Sequence, residues 1–190
     1  MMTKNILIVG VGGQGTLLAS KLLGKVLLDE GYDVKVSEVH GMSQRGGSVV
    51  TYVRYGERVF STVIDKGEAD MIISFETLES ARWLSYLKTG GVIITNTQQI
   101  DPMPVITGAA EYPENLIEKI KTKGINLIAA NAAELAEKAG NIRSTNLVLL
   151  GMAAKHIGFE KEIWINAIKE TVPQKTIETN LKAFESGYSL

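Results

Sequence analysis

The chain has 190 residues, 45% of them apolar and 22% charged, with a formal net charge of −1 and no cysteine. That balance gives no basic footprint for nucleic acid or an anionic membrane, and no apolar run approaches the roughly 20 residues of a bilayer span. Without cysteine this chain forms no disulfide, thiolate zinc site, thiolate-ligated iron–sulfur cluster or cysteine nucleophile. The length suits one well-cored domain over residues 1–190, and no hydrophobic leader opens the chain. A reducing cytoplasm is the compartment these features suggest.

Residues 5–9 are continuous, apolar and β-branched, and predict a buried strand ended by Gly10. Residues 14 to about 30 predict a helix, with Leu18, Leu22, Val26 and Leu27 on one stripe and Gly31 as the stop. Residues 33–38 alternate through Val34 and Val36, a second strand, so the chain opens with a βαβ unit. A polar, glycine-rich loop follows over residues 39–47. Residues 48–55 then predict a strand with 58–63 as its short antiparallel partner, a β-hairpin turning at Gly56-Glu57.

Residues 70–75 predict another buried strand, 76–88 a helix stopped by Gly90-Gly91, and 92–95 a strand. Residues 105–107 suggest a short edge strand, 113–123 a helix, 126–130 a last strand and 132–139 a short helix. Beyond Arg143 the chain predicts helices over 144–157, 160–171 and 175–185, with Ser144 or Thr145 as a cap and Gly158 and Pro173 as breaks. Asp65, Glu68 and Asp70 read as solvated turn residues, and Trp83 and Trp164 as core or interface anchors. The expected architecture is α/β: a three-layer, mostly parallel Rossmann-like sheet with an inserted β-hairpin and a C-terminal helical segment.

Two loops carry the chemistry. Gly10-Val11-Gly12-Gly13-Gln14-Gly15 sits between strand and helix, where backbone amides and a helix N-terminus favour an anion. Formally it matches the dinucleotide pattern, with Glu38 at the end of the second strand as the acid for a ribose. Polar Gln14 and Thr16 at the helix start, and a long loop after the acid, count against ordinary NAD binding. In that second loop Arg45-Gly46-Gly47 offers a guanidinium fork beside a backbone that can pass close to another surface, with Ser43 adding a donor. Both loops leave strand C-termini and are expected to be neighbours. His40 and His156 stand apart without cysteine, so no metal site is expected, and no G-x-S-x-G supports a hydrolase. At a helix start, Asn146 could reach the ligand edge, with capping as the alternative. The residues alone leave three readings: a subunit with a phosphate-binding edge, a stand-alone NAD(P) oxidoreductase, or a regulatory nucleotide-binding module.

The first loop, then Glu38-Val39-His40-Gly41-Met42-Ser43-Gln44-Arg45-Gly46-Gly47-Ser48-Val49, resembles the gamma-type domain of 2-oxoacid:ferredoxin oxidoreductases, in its indolepyruvate form. Thr145-Asn146-Leu147-Val148-Leu149-Leu150-Gly151, Val172-Pro173-Gln174 and the stretch from Asn180 to Tyr188 carry the same resemblance. It implies a subunit of an enzyme that oxidatively decarboxylates an aryl pyruvate to its acyl-CoA and passes electrons to ferredoxin. Thiamine diphosphate and iron–sulfur clusters are then expected on a larger partner chain. Coenzyme A is expected near Gly10, Gly12, Gly13, Gln14, Gly15, Glu38, Ser43, Arg45, Gly46 and Gly47, with subunit contact as the alternative role of the second loop. No catalytic residue is expected from this chain. Without its partner it would expose an apolar face through which two copies could pair.

Overall fold

Strand β1 (Lys4–Val11) explains the rest of the sheet, because its side chains are buried on both faces from Asn5 onward. Ile6 and Ile8 point to one face and Leu7 and Val9 to the other, as the two-residue period of a strand requires. A strand of this kind has to lie inside a sheet covered on both sides. In the computed structural model, which describes residues 3–40 and 47–190, β1 does so. The other strands are β2 (Asp33–His40), β3 (Ser48–Gly56), β4 (Ala69–Ser74), β5 (Leu87–Asn96) and β6 (Asn126–Ala130). Their order is β2-β3-β1-β4-β5-β6. The β1–β4, β4–β5 and β5–β6 ladders are parallel, whereas β3 runs antiparallel to both of its neighbours.

The mixed, mostly parallel sheet agrees with expectation, but the antiparallel pair has different members. Residues 58–63 form no strand; the partner of β3 on that side is β2. β3 therefore sits between the two strands of the opening βαβ unit. Helix α1 (Thr16–Asp29) carries the crossover, and β2 becomes an edge strand with Val36 and Val39 exposed.

One face of the sheet is covered by α1 and by the C-terminal helices α6 (Thr145–Ile157), α7 (Lys161–Thr171) and α8 (Ile177–Tyr188). Leu22, Leu23, Val26 and Leu27 of α1 join Leu147–Leu150, Trp164 and Phe184 in the larger core. The opposite face is smaller and is covered by α2 (Thr77–Arg82) and α4 (Leu116–Lys121). Helix α5 (Ala132–Lys138) follows β6, and residues 103–106 form a short helix, α3, rather than an edge strand. The predicted helix over 76–88 ends at Arg82, followed by a 3-10 turn at Leu84–Tyr86 and the start of β5 at Leu87. Asp70 is not a solvated turn residue: it accepts from the Asn5 amide and pairs with Lys4 and Lys88. Burial pushes the Asp70 carboxyl up, but Lys88, the Asn5 amide and Lys4 outweigh that and hold it below the usual carboxylate range. Among the described residues no helix is long and apolar enough to cross a membrane.

Candidate functional site

The carboxyl ends of β1 and β4 meet where the connections diverge, α1 leading toward β2 and α2 toward β5. In such sheets this crevice is where ligands bind. The first glycine loop lies here, and its shape comes from its own side chain. Gln14 Oε1 accepts from the Val11 amide at 2.7 Å, and Gln14 Nε2 donates to the Phe75 carbonyl at 3.0 Å. The Gln14 side chain thus ties β1 to the end of β4 while lining the cleft. Gly10 is buried in the same knot, since a Cβ there would meet Gln14 Oε1 at 2.9 Å and Phe75 Cβ at 3.0 Å.

Gly13 and Gly15 have φ values of 90° and 85°, which only glycine adopts freely. They set the chain into α1, whose first amides have no carbonyl one turn back to bond and receive no side-chain cap from Gly15. Gly15 is also pinned from across the fold, because Asn146 Nδ2 lies 3.4 Å from its carbonyl oxygen. Asn146 Oδ1 meanwhile accepts from the Leu147 amide, so this buried side chain both stabilises the start of α6 and reaches the loop.

Around this point lies an open cleft of about 420 Å³ lined by Gly13, Gln14, Gly15, Gln98, Arg143 and Asn146, among others. Arg143 is exposed and makes no ion pair with a described residue. It sits in the 3-10 turn immediately before α6, where the helix dipole disfavours a cation. An exposed guanidinium with no ion-pair partner among the described residues, beside a helix start, makes the cleft suited to an anion. By contrast, the cleft between Thr77, Gln99, Tyr112, Glu114 and Glu118 has no cationic side chain among its lining residues.

The expected neighbouring of the two loops holds at the one place where both are described: the Gly12 amide donates to the Gly47 carbonyl at 3.3 Å. Ser43, Arg45 and Gly46 lie outside the described residues. Glu38 is not brought to the first loop. Its strand is separated from β1 by β3, about 10 Å at ordinary strand spacing, so the ribose position of a plain dinucleotide site is not reproduced. Asn146, expected either to cap the helix or to reach the ligand edge, is not the N-cap of α6, which is Ser144; it bonds the Leu147 amide from within the first turn, holds the loop and lines the cleft. The sequence reading missed Arg143, although a cation set against a helix start was a signal available in the sequence. No group of three or more potential metal ligands occurs among the described residues.

Two buried carboxylates flank the crevice on α2 and were also missed. Glu76, 1% exposed, caps α2 through the Glu79 amide and accepts from the Ile100 amide and the Tyr112 hydroxyl. Burial and then the Glu76 carboxylate hold the Tyr112 phenol far above its ordinary range. Glu79, also 1% exposed, accepts from Ser48, Arg82 and Trp83.

A six-stranded, mostly parallel sheet of this order, with a glycine loop at its switch point, puts the chain among the α/β proteins whose ligands sit at the carboxyl ends of the strands. The family model for pyruvate ferredoxin/flavodoxin oxidoreductase matches residues 5–190, and the chain belongs to that family. It is 47% identical to "Indolepyruvate oxidoreductase subunit IorB" of Thermococcus kodakarensis, over 98% of this chain and 95% of that one. Two solved structures share the fold. The gamma subunit of a keto/oxoacid ferredoxin oxidoreductase from Geobacter sulfurreducens gives a TM-score of 0.72 at 23% identity, covering 98% of this chain and 96% of that one. The 2-oxoglutarate:ferredoxin oxidoreductase of Magnetococcus marinus, with 2-oxoglutarate, coenzyme A and succinyl-CoA bound, gives 0.75 at 18% identity over all of this chain and 31% of that one.

Proposed function

We propose that this chain is the small, single-domain subunit of a cytoplasmic indolepyruvate:ferredoxin oxidoreductase, and that its glycine edge binds the phosphates of coenzyme A. In the assembled enzyme an aryl pyruvate loses carbon dioxide, its acyl group is transferred to the thiol of coenzyme A, and the electron pair released passes to ferredoxin. Thiamine diphosphate would supply the carbanion chemistry on a larger partner chain, which would also carry the clusters. This chain has no thiolate to ligate a cluster. Its own work is to bind and orient the acyl acceptor.

The observation that carries the reading is the cleft itself. Gly13 and Gly15, the start of α1 and Arg143, which makes no ion pair with a described residue, line the same cleft. Coenzyme A brings a pyrophosphate and a further phosphate. Gly10, Gly12 and Gln14 give the loop its shape. Glu38, Ser43, Arg45, Gly46 and Gly47 are assigned to the second loop's side of the site, where the partner chain would close over it.

Titration calorimetry on the assembled complex tests this. Coenzyme A should bind and NADH should not; tight NADH binding with none for coenzyme A would overturn the proposal. Arg143→Ala should raise the KM for coenzyme A about tenfold, the scale of one charge-assisted hydrogen bond, and leave the KM for indolepyruvate unchanged. The isolated chain should not turn over indolepyruvate with a dye acceptor. Turnover without a second polypeptide would rule out the subunit role.

A further inference from the structure

Glu79 lies on α2, beneath the point where the second glycine loop rejoins the sheet. A carboxylate with 1% exposure is costly unless its oxygens are occupied, and here both are. Oε1 accepts from Arg82 Nη1 at 2.7 Å. Oε2 accepts from Ser48 Oγ at 2.5 Å and from the indole of Trp83 at 3.3 Å. Trp83 is itself held against Tyr86, their ring centroids 4.9 Å apart. Ser48 is the first residue of β3 and pairs with Val11, the last residue of β1. The residue before it, Gly47, receives the Gly12 amide. A continuous chain of hydrogen bonds and covalent links therefore runs from Trp83 through Glu79, Ser48 and Gly47 to Gly12.

We infer that Glu79 is a positioning residue that holds Ser48, and through it Gly47, against Gly12, so that α2 fixes the spacing of the two glycine loops. It touches no ligand. Its carboxylate is well suited to this task because Ser48 has one hydroxyl proton to give, and an ionised acceptor takes it in a shorter and stronger bond than a neutral one. Arg82 and Trp83 donate to the same carboxylate and keep it from rotating away. A core role alone would not require a charged group at this site. Its bearing on catalysis rests on the reading of the glycine edge as the coenzyme A site.

The test has a structural arm and a kinetic arm. Hydrogen exchange on the full chain reads the Gly12 amide directly. Glu79→Gln and Ser48→Ala should each speed its exchange, the second about tenfold, and the double variant should add nothing beyond Ser48→Ala, because the first weakens and the second removes the same Ser48–Glu79 bond. Ser48→Thr keeps the hydroxyl and should leave it unchanged. So should Ile168→Val, a core trim under α7 on the opposite face that lowers global stability. In the assembled enzyme Glu79→Gln and Ser48→Ala should raise the KM for coenzyme A and spare kcat. Unchanged Gly12 exchange in both variants overturns the inference. So does faster exchange spread evenly over β1, β4 and α1, which would make Glu79 only a core post. Faster exchange confined to Gly12 with an unchanged coenzyme A KM sustains the positioning role and removes the coenzyme A reading instead. If Glu79→Gln fails to fold, Ser48→Ala against Ser48→Thr carries the test alone.

Discussion

Gln14 occupies a place in the glycine loop that its residue type makes look like a ligand contact, yet both ends of its amide are committed inside the fold. Removing it should be felt as stability before it is felt as binding. Gln14→Leu keeps the bulk but strands the Val11 amide, while the Phe75 carbonyl still accepts from Asn96. We expect a loss of about 1–3 kcal/mol, read as a lower urea midpoint with an unchanged slope. Gly13 and Gly15 were legible as turn residues because a glycine between strand and helix has few other uses. Arg143 and Asn146 were harder to read: their partner is more than a hundred residues away in sequence, and no local pattern announces that α6 starts beside α1.

At the scale of elements, glycine inside helices marks where α6 and α8 touch. Gly151 and Gly187 each present bare backbone to the other helix, and a Cβ on either would strike main-chain atoms of the facing turn: Phe184 and Gly187 for the first, Val148 for the second. The helical spacing of Ile177, Leu181 and Phe184 suggested a last helix over residues 175–185. The structure continues α8 to Tyr188 because the close approach to Val148 leaves room for nothing larger. Gly187→Ala should push the two helices apart and cost on the order of 3 kcal/mol, measurable by denaturant unfolding. The helix predicted over 76–88 failed for the converse reason. Leu84 and Leu87 keep helical spacing, but a 3-10 turn and the first residue of β5 use them to cover the smaller core.

For the whole molecule, the pH dependence of stability has two limbs that can be traced to neighbouring groups at the edge of the sheet where β1 and β4 begin and β3 ends. Asp70 has a depressed folded pKa, so its contribution is present above the unfolded value near 4 and is lost as pH falls through the lower folded value. Asp70→Asn should flatten that acid limb. Tyr55 is the opposite case: burial, then Asp70 and Tyr32, raise its phenol to about 12. The fold favours the protonated ring, so stability is full below pH of about 10 and declines by roughly 2 kcal/mol as pH rises to about 12. Tyr55→Phe should remove that decline, with urea midpoints at a series of pH values as the measurement. Beyond the fold itself, β2 is an edge strand of the sheet with Val36 and Val39 exposed, next to a groove with Leu17 and Leu28. Apolar surface of this kind is normal for a chain that works inside a larger assembly.

The sequence by itself determined the α/β class, the strands of the central sheet, the glycine loop at the end of β1 and the absence of any thiolate, because each is set by local period, local turn chemistry or residue type. Its family resemblance agreed with the family the chain belongs to. Only the tertiary structure decided that β3 slips between β1 and β2, which moves Glu38 away from the loop it seemed to serve. Only it set Arg143 and Asn146 beside Gly15, and Glu79 beneath Ser48. The physical reason is the same in each case. Strand order and the burial of a charged group are fixed by the pairing of distant segments, and a chain read residue by residue carries no record of which distant segment will arrive. The glycine loop marked where function sits; the fold decided which side chains surround it.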